Sequence, residues 1–314
     1  IIELMKTANI DHVYNQLSKD NLPAIEVEAG ETFIVRTQLN GGDWLNKKED
    51  LWDPSKSKGP NLCTVIRIKD ARPGDTLAVH ILDIKPGKLG YTGFAGWRNP
   101  LSQLIYPNDW DVVTKTVEIK DTYIDWSKEL KLPVIPMIGT IGTAPKGEAQ
   151  SNRYAYENGG NMDVQEVCPG TTIYLPINVE GALLHVGDCH AIMGDGEIPH
   201  GGGIECQATV TLKVDLLEGY RSRKWIRLEN EDYLMTIANN IKIKDSFTEA
   251  CHELIDWMVK DYDFTPQEAF LLLGQVMEAR CTMLHGDDEP FSPYICKIKK
   301  KYLKPQKGGT WKNG

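Results

Sequence analysis

The 314 residues contain no C-x-x-C pair, no internal repeat, no low-complexity linker and no surplus of basic side chains. Each absence removes a class of protein. The seven cysteines (Cys63, Cys168, Cys189, Cys206, Cys251, Cys281, Cys296) are odd in number and scattered. That pattern fits free thiols in a reducing cytoplasm better than a disulfide scaffold. No apolar run approaches a membrane span and no charged-then-apolar leader opens the sequence, so a soluble protein without a membrane partner is expected. Lys and Arg number 35 against 44 Asp and Glu, a net charge of −9, which argues against a nucleic-acid-binding surface. The one basic block, Lys297 to Lys307, reads as a solvated terminal strand or arm. A hydrophobic fraction of 41% is enough for a globular core of one large domain or two smaller ones.

Most of the chain alternates like strands. Ile25 to Val27 and Thr32 to Leu39 flank Ala29-Gly30-Glu31, and Thr64 to Lys69 and Thr76 to Ile84 flank Ala71-Arg72-Pro73-Gly74-Asp75. Apolar alternation on either side of turn residues is the signature of a hairpin. Further strands are predicted at Val112 to Ile119, Thr171 to Val179, Ala182 to Val186 and Cys206 to Leu216, the last with Glu205 at its mouth. After about Asn240 the period becomes helical. Phe247, Cys251, Leu254, Ile255 and Met258 form a stripe from Ser246 to Tyr262. Thr265-Pro266-Gln267-Glu268 starts a second helix, expected to run to about Cys281. Strands first and helices last imply a mainly-β or α+β fold. The expected core is sandwich-like or barrel-like over residues 1–240, with a helical portion over 241–314 packed on it as one catalytic unit.

The chemistry concentrates between Leu184 and Glu205, LHVGDCHAIMGDGEIPHGGGIE, with three histidines, four carboxylates and six glycines. Glycines this dense predict a loop that bends tightly around a small site. His190, two residues beyond Asp188, is the foremost candidate metal ligand, with Asp188, Asp163 and Glu205 as carboxylate partners. One imidazole among carboxylates suits a divalent cation, zinc before calcium or magnesium. Glu197 is the candidate general base, and Asp195, its neighbour across Gly196, a ligand or orienter. Asn161, in the pentapeptide Gly159-Gly160-Asn161-Met162-Asp163, is the candidate donor to a substrate oxyanion. His185 is read as either a buried strand residue or part of the site, and His200 as either a closing group or a surface turn. Cys189 is a poor nucleophile, because an adjacent histidine cannot present its nitrogen to the sulfur and no lysine lies nearby. The apolar, Pro/Gly-broken run from Lys131 to Pro145 is expected to form a lid or wall.

GGNMD, LPINVEGALLHVGDCHAIMGDGE and GGIE, together with PGDTLAVHILDI and PMIGTIGTAP upstream, resemble the signature of the acetamidase/formamidase family. The resemblance covers most of the chain. It implies hydrolysis of a short-chain amide to a carboxylate and ammonia, a largely β fold and a homo-oligomer. The segment Asp53 to Pro60 departs from the Asn-Pro-x-Thr-Gly-Pro-like pattern usual there, which leaves the substrate open. Two other readings stand beside it. One is a related metal-dependent hydrolase of another small amide, lactam or ester. The other is a silent β protein whose carboxylates hold calcium as a staple.

Overall fold

Alternation at Cys206 to Leu216 is the clearest pattern in the sequence, and the strand it belongs to organises the molecule. The computed structural model describes residues 5–95, 112–198, 201–284 and 292–307. Strand Gly201–Leu217 lies antiparallel to the twenty-residue strand Thr76–Ala95 along one edge, in a register running from Gly201↔Gly93 to Leu217↔Thr76. Its other edge carries Thr32–Thr37, with Ala208 opposite Thr37 and Lys213 opposite Thr32. The fold is mainly β, a sheet curled into a half-barrel with two helices. Val210, Leu212 and Val214 point into the main core beside Phe33, Val35, Leu77, Val79, Ile138 and Val186.

Two expected hairpins do not form. Ile25–Val27 runs parallel to Cys63–Ile68, and Thr32–Thr37 pairs with the distant Gly201–Leu217 strand. Thr76–Ala95 likewise takes Thr172–Pro176 and Val112–Ile119 as neighbours in addition to Gly201–Leu217. The turns are real, but both flanking strands feed the same core (Val27 with Phe33, Ile66 with Leu77). The chain therefore crosses the curl at each turn instead of folding back on itself.

The glycine-rich stretch is not one loop. Leu184–His190 is a fully buried strand, and Gly201–Leu217 begins before Glu205. Glycine here spares room for neighbouring strands, as where Gly187 meets Leu62 and Cys63 and Gly203 meets His190. Nor is the Lys131 to Pro145 run a lid: it holds the strands Lys131–Pro133 and Met137–Thr143, and the latter is buried throughout.

The helices form Ile243–Tyr262 and Pro266–Val276. Thr265 and Glu268 make the expected reciprocal cap, each side chain accepting from the other's backbone N–H. Leu254, Trp257, Met258 and Leu273 pack on Leu234, Cys296 and Ile298 of the sheet, while Phe247 stays partly exposed. The second helix stops at Val276, before Cys281, and the chain returns to the sheet as Glu278–Cys281 and Tyr294–Lys299. Tyr294–Lys299 pairs with Tyr233–Ala238 on one side and Glu278–Cys281 on the other, so the start of the basic block is a strand within the sheet rather than a free arm. No helix among the described residues is long and apolar enough to cross a membrane.

Candidate metal centre

The site forms where one strand changes partner. Leu184–His190 keeps Met137–Thr143 along one edge throughout. Along the other edge, Leu184 to Gly187 pair with Cys63–Ile68, whereas Cys189 and His190 pair with Cys206 and Glu205. Asp188 sits at the switch with a left-handed backbone, φ +58°. Asp163 and Glu197 adopt the same uncommon conformation, at +44° and +43°. Three non-glycine residues held there mark a site whose surroundings impose the geometry.

His190 is the hub. Its Nε2 lies 3.2 Å from Glu205 Oε2, 3.7 Å from Asp188 Oδ1 and 4.0 Å from Asp163 Oδ1. Asp163, His190 and Glu197 present ligand-type atoms within 4.8 Å of one another, as do Asp188, His190 and Glu205. All five side chains are buried. Burial disfavours charge on His190, but Glu205 and Asp188 outweigh it and hold the imidazole pKa well above its ordinary value. Burial lifts Glu197 to about 8, with Glu205 and Asp188 adding to the rise and His190 opposing it. Asp163 and Glu205 are raised as well, first by burial and then by their acidic neighbours.

Both ring nitrogens of His190, Asp163 Oδ1 and Glu205 Oε2 are buried without a hydrogen-bond partner among the described residues. Orphaned lone pairs this close are costly, and carboxylates this close repel one another. A divalent cation answers both problems, so the donor set fits a metal ion with mixed nitrogen and oxygen ligands. The remaining oxygens are already engaged. Asn40 Nδ2 donates to Glu205 Oε1 at 3.0 Å and to Asp188 Oδ1 at 3.4 Å, and Thr140 Oγ1 lies 3.1 Å from Asp188 Oδ2. The Asn61 N–H donates to Asn40 Oδ1, which fixes which end of the amide faces the acids.

Two glycines make room for this packing. A Cβ on Gly139 would stand 2.4 Å from Asp163 Oδ1, and one on Gly202 would stand 1.8 Å from Glu197 Cγ. Tyr91 closes the side next to Asn40, its hydroxyl 3.4 Å from the Asn40 carbonyl. Its ring meets Trp44 edge-on at 4.7 Å and stacks on Trp52 at 6.1 Å.

The fold thus brings His190, Asp188, Asp163, Glu205 and Glu197 together, and leaves two other candidates elsewhere. Asp195 is turned outward with its side chain 66% exposed, accepting from Arg280 Nε at 2.8 Å and from Gln165 Nε2 at 2.9 Å. Gly196 lies in a turn at φ +82°, so Asp195 and Glu197 diverge and Asp195 takes no part in the cluster. Asn161 is buried beside the site, but its Oδ1 lies 3.0 Å from Thr140 Oγ1 and its Nδ2 donates to the Arg153 carbonyl. It braces Thr140. His185 lies away from the cluster: Nδ1 donates to the Leu183 carbonyl and Nε2 accepts from Asn21, while burial pushes its pKa down to about 4. Burial likewise pushes the Cys189 thiol up to about 12, which leaves it no nucleophilic thiolate at neutral pH. His200 lies outside the described residues. The sequence reading missed Asn40 and Thr140. Asn40 stands directly before Gly41-Gly42-Asp43, and Thr140 lies within PMIGTIG.

A family profile described as Acetamidase/Formamidase family matches residues 2–157 and 150–284. The chain belongs to the acetamidase/formamidase family. A solved acetamidase from Bacillus halodurans shares 31% identity and a TM-score of 0.84, over 94% of this chain and 98% of that one. A structure described as an acetamidase/formamidase from Thermoanaerobacter tengcongensis shares 29% identity and a TM-score of 0.86, covering 94% and 96%. A Schizosaccharomyces pombe protein named as a formamidase is 27% identical over 266 residues, 66% of this chain. The match spans just under two thirds of that relative, 64% of its length.

Proposed function

We propose that this member of the acetamidase/formamidase family hydrolyses short-chain amides to a carboxylate and ammonia, with a divalent cation held by His190, Asp188, Asp163 and Glu205. The observation that carries the proposal is the sealed group of one histidine and four acids, with unpartnered lone pairs converging at its middle. Zinc suits an imidazole among carboxylates better than calcium, which prefers an all-oxygen shell. A bound cation would supply Lewis acidity, polarising the amide carbonyl and lowering the pKa of an attacking water.

The protein's own groups do the rest. Glu197, buried against His190 and Asp163, sits where one carboxyl can accept a proton and release it again beside the centre. It takes the proton of the attacking water and returns it to the leaving nitrogen. Asn40 holds Glu205 by Oε1 with Oε2 toward His190, and Thr140 holds Asp188 by Oδ2 with Oδ1 between Asn40 and His190. Tyr91, its hydroxyl kept protonated by burial and the nearby acids, helps keep bulk water from the centre. Trp44 and Trp52 back it with an apolar wall on that side of the centre.

Ammonia release from formamide, acetamide and propionamide, before and after chelation, tests the reading. His190→Ala should lose both metal and turnover. Glu197→Gln should keep the metal and lose turnover by roughly 100-fold or more, the size expected for removing a general base. If Glu197→Gln loses the metal instead, Glu197 is a ligand and the base lies elsewhere. Metal-replete wild type that releases no ammonia would overturn the activity and leave the cation as a structural staple.

A further inference from the structure

Two residues of the centre, Asp163 and Glu197, hold left-handed backbones that their own sequence does not enforce. Both are braced by one short stretch of chain far along the sequence, Arg280 to Leu284. The Arg280 guanidinium donates from Nε to Asp195 Oδ1 at 2.8 Å, from Nη1 to Glu166 Oε1 at 2.9 Å, and from Nη2 to Gln165 Oε1 at 2.9 Å and Glu166 Oε2 at 2.5 Å. Gln165 completes the bridge, its Nε2 donating to the same Asp195 oxygen at 2.9 Å. Two residues on, Thr282 Oγ1 donates to the Met162 carbonyl at 2.9 Å, directly before Asp163. The Gly196 N–H donates to the Thr282 carbonyl at 3.0 Å, and the Leu284 N–H to the Gly196 carbonyl at 3.1 Å, directly before Glu197. Contacts thus bracket Asp163 on both sides and reach the two residues that lead into Glu197. Lys297 Nζ, 3.1 Å from Glu166 Oε1, ties the clamp to the neighbouring strand.

We infer that Arg280, acting with Asp195, Glu166 and Thr282, is a positioning residue that sets Asp163 and Glu197 against His190. Asp195 is then the handle by which Glu197's turn is gripped, rather than a member of the cluster. The guanidinium suits the task because its planar fork fixes several acceptors at once, which a lysine's point charge does not do. This inference rests on the reading of the cluster as the reaction centre. Its consequence is kinetic: displacing an acid–base group by about 1 Å from a remote position costs roughly 100-fold.

Arg280→Gln, Arg280→Lys, Glu197→Gln and the double variant Arg280→Gln/Glu197→Gln are compared as metal-loaded protein well below their unfolding temperatures. Arg280→Gln should lower kcat by roughly 100-fold with KM nearly unchanged. Arg280→Lys should fall between it and wild type. Because Arg280 acts through Glu197 as well as Asp163, the loss in the double variant should be smaller than the product of the two single losses. Additive losses, or an Arg280→Gln enzyme with wild-type kcat, would overturn the inference while leaving the proposed activity standing. Hydrogen exchange supplies a readout that needs no turnover: protection should fall in Arg280→Gln at 162–167 and 193–197, with the rest of the sheet unchanged. If wild type turns over no short amide, the activity reading fails and exchange alone decides. Unchanged protection at those two segments overturns the positioning role.

Discussion

Gly139 offers the sharpest single test of the centre, because its missing side chain is what lets two carboxyls approach. An alanine methyl there would lie 2.4 Å from Asp163 Oδ1 and 2.7 Å from Asp188 Oδ2, with the Asp188 carbonyl at 2.8 Å. Ordinary contact begins at 3.4 Å, so the Asp163 carboxyl has to retreat by about 1 Å, and the carbonyl belongs to a strand paired on both edges. A displacement of about 1 Å in a catalytic geometry costs roughly 100-fold in turnover. It would also open the ligand set, so metal content should fall with activity. Gly139→Ala should be purified from metal-supplemented medium, then assayed for metal by elemental analysis and for ammonia release from acetamide. Its thermal midpoint should be recorded alongside. Gly274→Ala is the control: it lies in the second helix with nothing within 4 Å of the added carbon. It should leave turnover unchanged and raise stability by up to about 1 kcal/mol. A Gly139→Ala protein with wild-type metal content and turnover would refute the placement of Asp163 and Asp188 around the centre.

Two further outcomes follow from groups outside the centre. Arg227 is fully buried and donates to Glu253 at 2.7 Å, Tyr220 at 2.7 Å and Asp256 at 2.8 Å. Arg227→Met leaves the Glu253 carboxylate with the N–H groups of Arg223, Lys224 and Trp225 and the Arg223 guanidinium at 4.0 Å, and should cost about 3–5 kcal/mol in urea unfolding. A loss below about 1 kcal/mol would show that those groups suffice. His185 falls from 6.5 to about 4 on folding, so between those values the unfolded chain takes up a proton that the folded chain refuses. Stability should therefore drop by about 3 kcal/mol through this group as pH is lowered from about 6.5 to about 4. The gap between wild type and His185→Gln should narrow by that amount, and a gap independent of pH would contradict it.

What the sequence made legible was what depends on local periodicity. Alternation found the Cys206 to Leu216 face and gave Ile25–Val27 and Val112–Ile119 their observed ends. Cap chemistry found the start of the second helix. Pairing depends on partners distant in the chain, which is why both turn motifs suggested hairpins that the long strands pre-empt. The motif density around His190 pointed to the residues that cluster in the fold, but residue type alone could not separate Glu197 from Asp195. That distinction is made by Gly196, whose left-handed turn sends one carboxyl inward and the other toward an arginine 85 residues away. Asn40 stayed hidden for the same reason: an asparagine in a glycine turn looks ordinary until a strand 165 residues later brings Glu205 to it.

That separation has a consequence for assembly. The contacts that define the centre join Asn40 to Glu205, Thr140 to Asp188, and Gly196 to Thr282 and Leu284. No early stretch of nascent chain holds a complete set, and loops of this length close slowly and late. The acids should therefore reach one another only when most of the sheet is in register, so their mutual repulsion opposes the last stage of folding rather than the first. A cation arriving then would bind the finished arrangement and not the open chain. Its affinity would add directly to the stability of this topology over other pairings of the same strands. Metal supply during synthesis would then govern the yield of folded protein as well as its activity.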